Sequence, residues 1–217
     1  MHIVTASDEN YVIGVLVLIA SAHRHNPEAR FSVLCSDWSA HSLAKLDALR
    51  RRLNVQIDCL DIAADRLAGL PVSRTHLTRA TYARLFIPDV LPDADRVIYM
   101  DCDILVTGSL FGAWTCDLGD HILGAVRCPS PTPAFAAEIN LPLKFYINAG
   151  FLVMNLPIWR AEGLAQSCLS TLADPDCPNI TRDESAINNI ARGRVRFLDA
   201  GYNFYALDRV WQSPLSH

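Results

Sequence analysis

The chain has 217 residues, of which 51% are hydrophobic and 19% charged; it can bury the core of one α/β domain and is no disordered tail. A formal net charge of −4 offers no basic field for nucleic acid. The longest apolar run, Val12 to Ala22, is too short to cross a bilayer and follows Asp8 and Glu9 rather than a basic segment, so no transmembrane or signal pattern is present and the expected location is cytoplasmic.

His2 to Ala6 reads as a first strand, followed by the loop Asp8-Glu9-Asn10-Tyr11. An apolar helix then runs to about His25 and is ended by Asn26-Pro27. Phe31 to Cys35 is a second strand. Ser39 caps a helix in which Leu43, Leu46, Leu49 and Leu53 recur at spacings of three and four. Val55 to Leu60 is a third strand; Thr78 to Phe86 reads as a helix stopped by Pro88, and Arg96 to Met100 as a fourth strand running into Asp101. Beyond it come a strand at Ile122 to Val126, a Pro-rich loop at Cys128 to Leu143 and a strand at Ala149 to Asn155. Helices at Ile158 to Leu172 and Asp183 to Arg192 precede a last strand near Val195 to Leu198. This alternation predicts a mostly parallel sheet flanked by helices, in one domain over residues 1–217. The seven cysteines, Cys35, Cys59, Cys102, Cys116, Cys128, Cys168 and Cys177, include no C-x-x-C pair. They read as buried thiols in a reducing compartment rather than as a zinc or redox motif.

The chemistry-bearing feature is Asp101-Cys102-Asp103 at the end of the fourth strand. In open α/β sheets ligands bind beyond the carboxyl ends of the strands. Residues two apart on an extended segment point the same way, so both carboxylates can face one hard cation, Mn²⁺ or Mg²⁺. Such an ion is suited to stabilising a diphosphate leaving group. Taken alone, two aspartates two apart also fit a solvated loop or a helix cap.

Five segments together resemble glycosyltransferase family 8, the retaining enzymes that include bacterial lipopolysaccharide galactosyl- and glucosyltransferases. They are Ile3 to Tyr11, Thr81 to Leu85, Val97 to Asp103, Tyr146 to Leu156 and Asp183 to Asn188. The resemblance implies a GT-A nucleotide-diphospho-sugar fold, a UDP-sugar donor and a glycan acceptor. It also implies roles. Ala6, Asp8, Asn10 and Tyr11 would form the uridine and ribose pocket, and Arg84 would contact the donor. Asp101 and Asp103 would hold the metal, with Asp101 also near the sugar. Asn148, Ala149 and Gly150 would line the sugar pocket, where a glycine within an apolar strand also signals a bulge or a close backbone approach. Asp183 would bind the transferred sugar, and Glu184 would stand beneath the anomeric carbon where many relatives carry Gln. Without the resemblance, Asp183 and Glu184 read as first-turn acids on a helix.

Two departures bear on activity. Arg127-Cys128 stands where the family commonly has an Asp, and no His-x-x-Gly-x-x-Lys-Pro-Trp segment is found before the terminal Pro214-Leu215-Ser216-His217. The expectation is therefore a catalytic domain lacking the family's C-terminal segment, which could also have carried a peripheral membrane contact; a UDP-sugar-binding domain with little turnover is the alternative. A haloacid-dehalogenase-like phosphatase also uses Asp-x-Asp after a strand, but Leu105 stands where that family carries a hydroxyl residue. No G-x-G-x-x-G supports a dinucleotide enzyme.

Overall fold

The computed structural model of the chain describes residues 1–62, 67, 70, 79–128, 139–174 and 183–204. Seven strands form one sheet in the order β3-β2-β1-β4-β6-β5-β7. They are β1 (His2–Asp8), β2 (Arg30–Ser36), β3 (Ile57–Asp61), β4 (Arg96–Met100), β5 (Leu123–Arg127), β6 (Ile147–Asn155) and β7 (Val195–Phe197). The first four run parallel, β6 runs antiparallel to both its neighbours, and β5 and β7 are parallel. The expected mostly parallel α/β sheet is what the chain forms.

Side-chain alternation splits the apolar strand residues between two cores. Val4, Val97 and Tyr99 face one side, packing with Trp159, Cys168 and Ile187. Ile3, Ile98 and Met100 face the other, with Val15, Leu18 and Leu46. The second side is covered by α1 (Val12–His25), α2 (Ala40–Leu53) and the short α4 (Phe111–Thr115), whereas α3 (Ile87–Val90) packs on the first. The first side carries the 3₁₀ turn Arg79–Phe86, α3, α5 (Leu156–Ala161), α6 (Leu164–Ala173) and α7 (Asp183–Ala191). Each fully buried Leu or Ile contributes about 1.5–3 kcal/mol against an exposed one, so two such layers hold the sheet between them. Among the described residues no helix is long and apolar enough to cross a membrane.

Local chemistry explains where these elements begin and end. Ser39 accepts from the Ser42 amide at 3.2 Å and caps α2 as read from the sequence, and Asn54 closes that helix in the left-handed region at φ 50°. Three expectations are corrected. The Thr78 to Phe86 segment is a 3₁₀ turn over its described part, and Pro88 does not stop it: proline sits in the first turn of α3, where its missing N–H has no partner to lose. The expected Ile158 to Leu172 helix is two helices, because Gly163 at φ 61° turns the chain between α5 and α6. Finally, the cysteines are not all free thiols. Val33 pairs with Cys59 and Cys35 with Asp61, which sets Cys35 and Cys59 diagonally on adjacent strands, and a disulfide joins them with Cα atoms 6.4 Å apart. Cys102, Cys116, Cys128 and Cys168 are free, and Cys177 lies outside the described residues. The cysteines therefore no longer argue for a reducing compartment.

Candidate functional site

The carboxyl ends of β1 and β4 open on the same edge of the sheet as the amino-terminal half of β6, because β6 is reversed. The Asp101 amide donates to the Gly150 carbonyl at 2.8 Å, fixing the residue after β4 against β6. Here β6 departs from regular pairing. Ala125 pairs with Leu152 but Arg127 with Ile147, so five steps along β6 oppose two along β5. The alternation of faces breaks at the same place: Ile147 and Ala149 join one core, Phe151 and Val153 the other. At this bulge Asn148 and Gly150 line the cleft, while the Ala149 side chain stays in the core. A Cβ on Gly150 would stand 2.8 Å from Asn148 Oδ1 and 3.0 Å from Asp101 Oδ2, so both sequence-level meanings of that glycine, bulge and close approach, are realised.

Arg84, 5% exposed, is the centre of the arrangement. Its NH2 group donates to Asp101 Oδ1 at 2.8 Å and its Nε lies 2.9 Å from Asp183 Oδ2. NH1 donates to the Ala149 carbonyl at 2.6 Å, and the guanidinium lies over the Tyr99 ring. Burial alone works against a charged guanidinium, but Asp101 and Asp183 more than offset it and hold Arg84 above its ordinary range. Most of its fork is thus spent on the protein, and its first effect is to fix the two carboxylates and the bulge. The Tyr99 hydroxyl donates to the same Asp101 oxygen at 2.8 Å, which leaves Oδ2 toward Gly150 and the cleft.

Asp183 and Glu184 open α7. Asp183 is 6% exposed; burial pushes its carboxyl up, and Arg84 pulls it back. Glu184 Oε2 accepts from the Ala149 amide at 3.1 Å and from the Asn148 side chain at 3.0 Å. Burial raises Glu184 to about 7, with Asp183 adding to the rise and the Ala149 amide, Arg84 and Tyr146 opposing it. The first-turn reading of these two acids holds. The helix start supplies amides for Asp183, whose carboxylate pairs with Arg84, and Glu184 reaches Asn148 and Ala149 of β6.

Beyond the carboxylates lie two adjoining hollows. One, of about 140 Å³, is lined by Ala6, Asp8, Tyr11, Arg84, Asp101 and Asp103 among others; the second, of about 460 Å³, by Asp101, Asp103, Asn148, Gly150 and the 201–204 turn. Asp8 Oδ1 accepts from the Asn10 amide at 2.9 Å, capping the 3₁₀ turn that presents Tyr11, which is 43% exposed. Asn10 is exposed and lines neither hollow. Thus Ala6, Asp8, Tyr11, Arg84, Asp101, Asp103, Asn148 and Gly150 share one cleft. Ala149 joins it through its backbone, Asp183 and Glu184 lie beneath it, and Asn10 does not face it. Most of the Thr75 to Thr78 and Cys128 to Phe145 loops, and His217, lie outside the described residues.

The donor set fits a hard divalent cation. Asp101 Oδ2 and the Asp103 carboxylate offer hard oxygen donors at one cleft, and no third His, Cys, Asp or Glu joins them among the described residues. Burial and the neighbouring Asp101 raise Asp103, the repulsion expected of two carboxylates awaiting a cation. Cys102, pushed up to about 12 by burial and by the flanking acids, is a neutral thiol between them. The loop's position depends on α1: a Cβ on Gly14 would stand 2.7 Å from the Cys102 carbonyl oxygen. Gly14→Ala is expected to displace Asp101-Cys102-Asp103 at a cost of about 1–3 kcal/mol, read by thermal melting. An unchanged melting midpoint would mean that α1 slides freely.

A family model described as glycosyl transferase family 8 matches residues 2–216. The chain belongs to glycosyl transferase family 8. Within that family it is 31% identical over 206 residues to the lipopolysaccharide 1,3-galactosyltransferase of Salmonella typhimurium, covering 90% of this chain and 61% of that relative. It therefore spans about three fifths of the length of that curated relative. Among solved structures it resembles the galactosyltransferase LgtC in complex with donor and acceptor sugar analogs, at 29% identity and a TM-score of 0.86, covering 99% of this chain and 81% of that one. An active-site glutamine-to-glutamate mutant of LgtC matches at 29% identity and a TM-score of 0.89, covering 100% and 79%. The GT-A fold expected from the resemblance is the fold of this family 8 chain. The phosphatase and oxidoreductase readings lose their footing.

Sequence reasoning gave no role to Tyr99, Asn188 or Asn203. Tyr99 could have been found, since it stands two residues before Asp101 on the same strand face. Asn188 accepts from the Ile147 amide at 2.8 Å and donates back to the Ile147 carbonyl at 2.9 Å, pinning the start of β6 to α7. Only its spacing of four from Glu184 hints at that. Asn203, whose Nδ2 is 2.7 Å from Asn148 Oδ1, carries no sequence signal.

Proposed function

We propose that residues 1–217 act as one catalytic domain, a retaining glycosyltransferase that moves a hexose from UDP-galactose or UDP-glucose to a glycan acceptor such as lipopolysaccharide. Such an enzyme would work in the cytoplasm, peripheral to the membrane that carries the acceptor. The observation that carries the reading is the cluster of Asp101, Asp183 and the 148–150 bulge on the single buried Arg84, at the edge of a cleft that Tyr11 and Asp8 enter from the other side. One wall thus offers an aromatic face and a carboxylate for a nucleoside. The other offers amides and a glycine gap for a sugar.

Asp101 and Asp103 would hold Mn²⁺ or Mg²⁺, which when bound supplies charge neutralisation to the diphosphate as it departs. The protein's own groups then do the positioning. Arg84 and Tyr99 fix Asp101; Gly150 leaves room for the sugar beside it; Asn148, the buried Asp183 and the partly buried Glu184 would face the hexose from below. In the transfer, the bond from the anomeric carbon to the UDP oxygen breaks and a bond to the acceptor hydroxyl oxygen forms on the same face. The hydroxyl proton passes to the departing diphosphate, so the products are the glycoside and UDP. Negative charge beneath the ring favours the oxocarbenium-like state, and preorganisation supplies most of the barrier lowering.

The test is calorimetric titration of UDP with and without Mn²⁺, on the native chain and on Asp103→Ala. Binding is expected to need Mn²⁺, and the variant to lose tenfold or more in affinity, roughly the least expected on disturbing a metal site. Equal binding without metal would remove the metal from the reading. No UDP binding under either condition would remove the reading itself.

A further inference from the structure

We propose that Asn203 recognises a hydroxyl of the donor hexose through its side-chain oxygen, with Glu184 fixing that polarity across Asn148. The inference rests on the UDP-hexose reading and adds to it a residue and a direction of hydrogen bonding.

The argument follows donors and acceptors through three side chains. A backbone N–H can only donate, and the Ala149 amide gives its hydrogen to Glu184 Oε2 at 3.1 Å. The same oxygen is 3.0 Å from the Asn148 amide group. An ionised Glu184 oxygen can only accept, so Asn148 turns its NH₂ toward it. The Asn148 oxygen then faces the opposite way, where it meets the Gly150 N–H at 2.8 Å and the Asn203 side chain at 2.7 Å. Gly150 N–H is again a donor, so a fixed backbone group independently demands the same orientation of Asn148. An amide oxygen cannot donate, so Asn203 must present its own NH₂ to Asn148. The assignment of amide ends is ordinarily a choice made from the surrounding network; here the Gly150 amide, which can only donate, makes it directly, and an ionised Glu184 agrees with it.

What remains is the oxygen of Asn203. It has no hydrogen bond among the described residues, and Asn203 lines the same hollow as Asp101, Asp103, Asn148 and Gly150. An unpaired amide oxygen on a residue lining that hollow can take a hydrogen from a hydroxyl and repels an oxygen that only accepts, such as a phosphate or carboxylate oxygen. The carboxylates of Asp101 and Asp103 are neighbours, so the diphosphate belongs with their metal. The hydroxyl-bearing part of the donor next to it is the hexose. The turn that carries Asn203, Ala200–Asn203, is itself held: Asp199 caps it by accepting from the Gly201 amide at 2.8 Å, and Tyr202 stacks on Phe151 of β6.

The experiment measures, by calorimetry with Mn²⁺ present, the affinities of UDP and of whichever of UDP-galactose and UDP-glucose binds tighter, for the native chain and Asn203→Ala. UDP affinity is expected to agree within about twofold between the two proteins, which also shows that the variant is folded. The hexose donor is expected to bind the variant about 3–10-fold more weakly, the worth of one neutral hydrogen bond. Donors deoxygenated at one ring position at a time locate the hydroxyl: one of them should lose the same factor with the native chain and nothing further with Asn203→Ala. The analogue with fluorine at that position, which keeps an acceptor but has no hydrogen to give, should lose as much as the deoxy donor. A fluorinated donor that binds as well as the parent would overturn the polarity. Equal losses on both proteins at every position, or a hexose donor no tighter than UDP, would overturn the role of Asn203. Absence of UDP binding would instead take down the underlying reading, and this inference with it.

Discussion

Arg84→Met is expected to destabilise the chain by about 3 kcal/mol, because removing one partner of a buried ion pair strands the other. Methionine has similar length and packs in the same space, so the loss reports charge rather than a cavity. Asp183 would be left 6% exposed without its cation, and Asp101 partly so. The Asp101 side chain is 35% exposed and water recovers some of its share, which keeps the figure at the lower end of the usual range. The measurement is the denaturant midpoint at pH 7.5, with the slope unchanged. Acid should rescue the variant. Burial already raises the Asp183 carboxyl, and without Arg84 it rises further. A raised carboxyl is protonated, and costs nothing, at low pH, and its penalty returns as pH climbs through the folded-state value. Stability of Arg84→Met should therefore recover toward pH 5, and Asp183→Asn in the same background should restore much of it at pH 7.5. A loss below about 1 kcal/mol, the range of exposed pairs, would show that water already serves these carboxylates.

Glu184→Gln should act in the opposite direction and stabilise the protein at alkaline pH. Burial lifts Glu184 from the ordinary 4.5 to about 7, so between those values the folded chain holds a proton that the unfolded chain has released. Stability therefore falls as pH rises through that window and levels off above it, a penalty on the order of 3 kcal/mol at pH 8. Glutamine carries no such penalty, and its oxygen can still accept from Ala149 and Asn148. The variant should melt higher than the native chain at pH 8, with the gap closing toward pH 4.5. Parallel melting curves at all pH values would mean that Glu184 is solvated. A higher melting midpoint for Glu184→Gln would mark the glutamate as a charge that the fold itself does not need.

The strands and the Asp101–Asp103 motif were legible because their signals are local. Val97 to Met100 is an apolar run bounded by Arg96 before it and the Asp101 carboxylate after it, and its bounds needed no tertiary information. Ser39 announced α2 for the same reason. What the sequence concealed was set by contacts across distance. The reversal of β6 depends on pairing with β4 some fifty residues earlier, and nothing in Ile147 to Asn155 states a direction. Likewise Arg84 reads as an ordinary helical surface cation until the fold buries it against Asp183, almost a hundred residues later. The disulfide needed the register of β2 on β3, and Asn203 needed the orientation of a side chain on β6.

The sheet order bears on how the chain acquires its cleft. β1, β2 and β3 with their helices can assemble from contacts close in sequence, whereas β4 must return to β1, β6 must insert beside β4, and β7 must find β5. The cleft draws on residue 8, residue 84, residues 101–103, the 148–150 bulge and residues 183–203, so it spans every one of those closures. Each long closure is an entropic cost paid before its contacts form, and such topologies fold slowly. A partly folded molecule can therefore own a native-like first half and have no cleft at all. Ligand capture during refolding would report completion of the whole sheet, lagging behind the recovery of secondary structure.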